Sequence, residues 1–260
     1  MIPLALQAGL WGLLSGSALL IGALVGWFAP LPRRVIAAIM GFGAGVLISA
    51  LSFDLMDEAW RRASDAGSGF APVALGFLGG AAIYTICNLG LGLWGARHRK
   101  RSRMEHRGRD MAINANNSGA LAAGALIDGI PESIVIGVSL LEGGMIGHVA
   151  VIAVFLSNLP EGLSSAAGMR KEGKSPAFVF ALWTGIALIA GISAWVGYVA
   201  FADASPGVLA AVQAVAAGAI LAMVIDTMAP EAFEGTHDYA GLIAVTGFLT
   251  AFALTKLGGG

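Results

Sequence analysis

Eight long apolar runs divide this chain, at roughly residues 5–29, 35–56, 71–95, 119–141, 146–168, 177–200, 207–228 and 240–256. A helix needs about 20 mostly apolar residues to cross a bilayer. The last run is short, but His237-Asp238 and Lys256 bound it. The runs are too long for strands and lack period-two alternation. Inside lipid only a helix satisfies its own backbone without closing a barrel. Composition agrees: 57% of the residues are apolar and 12% charged, against about 25% charged in soluble domains. The sequence therefore predicts an all-α polytopic membrane protein with eight transmembrane helices. It forms a single membrane domain over 1–260, with spans 1–3 in 1–96, a basic cytoplasmic loop at 97–118, spans 4–5 in 119–168 and spans 6–8 in 177–256.

Charge placement orients the bundle. With the N-terminus outside, the inner loops hold Arg33, Arg34, Arg97, Arg99, Lys100, Arg101, Arg103, Arg107, Arg109, Arg170, Lys171 and Lys174, which is 12 of the 15 Lys and Arg residues. Arg61, Arg62 and Lys256 are the remainder. The positive-inside rule then puts both termini on the non-cytoplasmic side. The compact form and the Met1-Ile2-Pro3-Leu4 start, without a basic leader, suggest a bacterial inner membrane. A net charge of −1 argues against a nucleic-acid partner. The single cysteine, Cys87, excludes an intrachain disulfide. Gly12/Gly16, Gly22/Gly26 and Gly41/Gly45, each four apart, give spans one and two small faces for close helix approach.

Two internal repeats stand out. Span four contains Asp128-Gly129-Ile130-Pro131-Glu132, and span five contains Ser157-Asn158-Leu159-Pro160-Glu161-Gly162. The end of span two, Phe53-Asp54-Leu55-Met56-Asp57-Glu58-Ala59, resembles the end of span seven, Ile225-Asp226-Thr227-Met228-Ala229-Pro230-Glu231-Ala232, with one residue inserted. Spans two and seven run in opposite directions in this topology. The reading is an inverted repeat, spans 1–3 and 6–8, around a span 4–5 transport unit, a transporter signature.

Asp128, Glu132 and Glu161 are the carboxylates well inside spans four and five. Each costs several kcal/mol there unless paired, hydrated or protonated. Asp128 and Glu132, four apart, share a helix face. Pro131 and Pro160 lack an N–H, which frees the carbonyls of Ile127 and Leu156. With Ser157 and Asn158 the two helices offer a set of hard oxygen ligands, suited to a divalent cation. The competing reading is a protonated, hydrogen-bonded core beside two proline kinks. Asp54, Asp57, Glu58, Asp226 and Glu231, at span ends, read either as interfacial caps or as acidic vestibules that concentrate cations. His98 and His106 lie in the basic run, a poor setting for a metal. An intramembrane aspartyl protease built on Asp128 and Asp226 lacks a supporting motif, so the chain is not read as an enzyme.

These motifs, with the acidic end of span two, resemble the ZIP (Zrt/Irt-like) divalent metal transporters over nearly the whole chain. The resemblance implies a metal site between spans four and five, with two metals in many members, and a possible homodimer in the lipid bilayer. It further implies motion of the span four–five unit against the other six spans. Family members carry His-Asn-x-Pro-Glu in span four. Here Asp128 and Gly129 stand at the first two positions. In span five the two polar positions are Ser157 and Asn158. Thr184-Gly185 to Gly191 in span six lacks the glutamate found in many members. All four histidines, His98, His106, His148 and His237, fall in or beside loops. The resemblance thus implies one site, built from Asp128, Glu132, Asn158 and Glu161 with Ser157 beside them, and harder than a histidine site. The expected cargo is Zn, Mn, Fe, Cd or a broad range, with no resident cofactor. The alternative is a non-transporting relative that binds or senses a cation or proton.

Overall fold

The computed structural model describes residues 2–102, 118–142 and 145–257; side chains within helices are described except at 92–102, 118–123, 128, 142 and 145–150. No strand occurs among the described residues. Helix α1 is Leu4–Phe28. Helix α2, Arg33–Ala50, passes through a π-helical turn, Leu51–Met56, into α3, Asp57–Asp65. Then follow α4 Phe70–Ser102, α5 Ser118–Ser139, α6 Met145–Lys171 and α7 Pro176–Phe201. Helix α8, Pro206–Met223, passes through a second π-helical turn, Val224–Met228, into α9, Ala229–Thr236, and α10 is Ala240–Leu257. Five of the described helical stretches are long and apolar enough to cross a membrane, and the protein is a multi-pass membrane protein.

Several element ends differ from the sequence expectation. Span two continues as helix beyond residue 56 to Asp65, and span seven beyond 228 to Thr236. In both, the acidic motif is inside a helix rather than at its end. The basic stretch expected as a loop from residue 97 begins as helix, because α4 runs to Ser102. Nothing between 96 and 102 breaks it, since Arg and Lys propagate a helix well and the stretch holds no Gly or Pro. Residues 103–117 of that stretch, with His106, lie outside the described residues.

The stretch Pro206–Leu257 counts 52 helical residues but does not run straight. At the end of α9, His237 adopts φ 46°, the one positive φ outside glycine among the described residues. That backbone state is costly for a residue with a Cβ. It turns the chain back through a 3-10 turn, His237–Tyr239. Helix α9 then runs against α2, with Met228 near Gly43 and Gly235 near Ala37. Helix α10 runs with α2, from Ala240 near Gly41 to Thr255 at Asp54.

Glycine lets these helices touch backbone to backbone. A Cβ on Gly45 would overlap the Ala244 carbonyl, and one on Gly247 the Phe42 carbonyl, which joins α2 to α10. Gly80 against Val215 and Gly218 against Phe77 join α4 to α8 in the same way. Gly22 against Leu159, and Gly162 against Leu19, join α1 to α6; Gly137 against Ala194, and Gly197 against Ile134, join α5 to α7. The small faces expected on spans one and two are therefore in use: Gly12 and Gly16 meet Ala187, Ala190 and Ala194 of α7, and Gly41 meets Ala232. Outward, α4 shows Leu75, Leu78, Ile86 and Leu89, and α10 shows Leu242 and Leu249, all more than half exposed. Such a belt would be a liability in water and suits lipid.

Candidate cation site between helices α5 and α6

Helices α5 and α6 continue through Pro131 and Pro160. Glu132 is 3% exposed, Ser157 3% and Asn158 6%, and Glu161 is half-buried. The Asp128 side chain lies outside the described residues. Ser157 Oγ donates to the Val154 carbonyl at 2.9 Å. Asn158 Nδ2 donates to the Ser15 carbonyl on α1 at 3.2 Å, so span one reaches the site. Ser133, next to Glu132, donates to the Gly129 carbonyl at 2.6 Å.

Glu132 has a further neighbour that the span-end reading of Asp54 did not anticipate. Both residues border a cavity of about 20 Å³ with an apolar lining, walled by Leu47, Leu55, Val154 and Ile220. That is room for one water-sized occupant. Thr255 on α10 donates to Asp54 Oδ2 at 3.4 Å. Glu161 is not among the residues around this cavity. Among the described residues, no three His, Cys, Asp or Glu side chains converge as a metal cluster. The structure thus brings Glu132 and Asp54 to one cavity and ties Asn158 to α1.

The five span-end acids divide. Asp57 and Asp226 are exposed. Glu58 is 5% exposed and paired with Arg62 Nε at 2.8 Å and with Arg61, so its charge is met within α3. Glu231 accepts a hydrogen bond from Ser164 Oγ of α6. Asp54 and Asp226 both sit in the π-helical turns. Turns of this kind are rare and concentrate at functional positions. Ser15, Ser164 and Thr255 escaped the sequence reading. Only Ser164 had a signal: Ser157, Glu161 and Ser164 follow the i, i+4, i+7 spacing of one helix face.

Over 90 residues the chain is 37% identical to "Zinc transporter ZIP11" of Bos taurus, a match that takes in 33% of this chain and 25% of that protein. The chain spans about a quarter of the length of the relative it matches. No family model matches the chain. The relative bears out a resemblance to the ZIP family over that third of the chain.

Proposed function

We infer from this kinship that the chain works as a ZIP-type transporter, moving divalent transition-metal cations, Zn, Mn, Fe, Cd or a broad range, through an oxygen-rich site between spans four and five. The observation that carries the reading is the burial of Glu132 with Ser157 and Asn158 on helices that carry Pro131 and Pro160 in their interiors. A buried carboxylate in a membrane span marks an ion pathway by default. The cation is cargo: Glu132, Glu161 and Asp128 would replace part of its water shell, with Ser157 and Asn158 as neutral oxygens. The acids of the π-helical turns lie along the route, Asp54 beside Glu132 and Asp226 at the opposite end.

The reading includes eight spans, both termini non-cytoplasmic and an inverted repeat. The helix pairings support the repeat. Exchanging span one with six, two with seven, three with eight and four with five interchanges the backbone-to-backbone glycine pairings in two sets. The α2–α10 pair becomes α8–α4, and the α1–α6 pair becomes α7–α5. Matching Gly162 with Gly137 in this way sets Ser157 against Glu132, one helical turn from the match of the two Pro-Glu pairs. Glu132 borders one cavity with Ala153 and Val154, about two helical turns before Glu161 on α6, which supports a pathway with successive carboxylates over a single symmetric cage. The same contacts join spans one and six to spans four and five, so the moving unit we propose is these four spans, larger than the span four–five pair.

A second reading is a relative that binds or senses a cation without moving it. Asp128-Gly129 standing where the family carries His-Asn favours it. Metal-induced thermal stabilisation of the purified chain tests the site itself. Glu132→Gln and Glu161→Gln are each expected to weaken it by about tenfold or more in metal concentration. Asp128→His is expected to move the ranking towards Zn by supplying an imidazole. Unchanged stabilisation in both Gln variants would sink the site.

A further inference from the structure

Most buried hydroxyls in this bundle are satisfied by their own helix. Ser52, Ser133, Ser139 and Ser157 each donate to a carbonyl one turn back, at 2.6 to 2.9 Å. Inside lipid that is the nearest partner, because no bulk water is at hand. Like Ser49 on α2, Ser15 on α1 departs from the pattern. It is 1% exposed, and among the described residues its Oγ has no hydrogen-bond partner. Leaving a buried hydroxyl unmet costs its full desolvation. Ser15 is also the residue whose carbonyl accepts the Asn158 amide.

We propose that Ser15 is a further member of the cation site, its hydroxyl oxygen entering the coordination shell of the ion held at Asn158. The inference rests on reading spans four and five as that site. Because Asn158 Nδ2 donates to the Ser15 carbonyl, its amide oxygen is turned away from that bond, so α1 decides which atom of Asn158 is offered to a cation. Gly22 and Gly162 keep α1 and α6 in backbone contact around this point, so Ser15 and Asn158 move together. A neutral hydroxyl adds a hard ligand without adding charge, which favours Mn over softer ions.

The test is thermal unfolding of the full chain in detergent, without metal and over a series of Mn, Zn and Cd concentrations. Ser15→Ala keeps the Asn158 hydrogen bond, since that bond goes to the backbone. The variant is expected to be at least as stable as wild type without metal, and to need roughly tenfold more Mn for half-maximal stabilisation. Ser15→Cys is expected to raise Cd and Zn in the ranking. A wild-type metal response in Ser15→Ala, with a wild-type ranking in Ser15→Cys, would overturn the proposal. So would a loss of metal-free stability in Ser15→Ala, which would mean that the hydroxyl has a protein partner. Glu161→Gln run alongside separates the two levels. If wild type itself shows no metal response, the reading of the site fails. A response lost in Glu161→Gln and untouched in Ser15→Ala removes only the role of Ser15.

Discussion

At the residue scale, burial and pairing decide what each carboxylate can do. Glu58 and Arg62 are both 5% exposed and ion-paired, so removing the Glu58 charge takes a counter-ion from a buried guanidinium. Glu58→Gln is expected to cost about 3 kcal/mol or more, whereas Asp57→Asn, at an exposed position, should stay within about 0.5 kcal/mol. Thermal unfolding in detergent checks both. Equal effects would mean that the pair contributes nothing to holding α3. The sequence showed that Asp54, Asp57 and Glu58 form an acidic end, and it showed Arg61 and Arg62 beside them. It did not show which acid the arginines take. That depends on the i, i+3 and i, i+4 geometry of a helix that continues past the expected end of span two. Glu132 and Glu161 were legible because a carboxylate in an apolar run is expensive. The single hydroxyls of Ser15 and Thr255 were not, because a serine or threonine in a span is cheap and common.

At the element scale, glycine sets how closely helices approach. Gly45→Ala and Gly218→Ala are expected to destabilise the fold by about 1–3 kcal/mol or more, because each new methyl meets a partner carbonyl that cannot move alone. Gly79 has open space around it, so Gly79→Ala should be neutral or slightly stabilising through helix propensity. Comparing the three variants in one unfolding assay isolates contact from propensity, and equal losses would contradict the contact account. Glycines four apart were visible in the sequence as small faces on spans one and two. Which helix fills each face was not, because partner choice is a property of the whole packing. The π-helical turns were equally hidden: they end at the matched Met56 and Met228, and the one inserted residue lies beyond them, so the mismatch between the two motifs does not mark them.

At the scale of the whole molecule, the account is an oriented bundle that carries cations. Orientation is testable without transport. With Cys87 replaced by serine, a cysteine at Lys174 should react with an impermeant thiol reagent only from the cytoplasmic side, and one at Ser68 only from the outside. The reverse pattern would invert the topology. The all-helical membrane class was readable because lipid imposes length and apolarity on every span. The arrangement of the site was less so: the Pro-Glu repeat carries no depth information, whereas the structure sets Glu132 by Ala153 and Val154, about two turns before Glu161. The central claim is that the carboxylates of spans four and five pass metal across a bilayer, and flux into proteoliposomes loaded with a metal-sensitive dye tests it most directly. Offered Zn, Mn, Fe(II), Cd and Mg in turn, the wild-type chain is expected to admit at least one transition metal, and Glu132→Gln and Glu161→Gln to slow that flux by about tenfold or more. Folded protein that admits none of these ions would contradict the account and leave a cation-binding relative that does not transport.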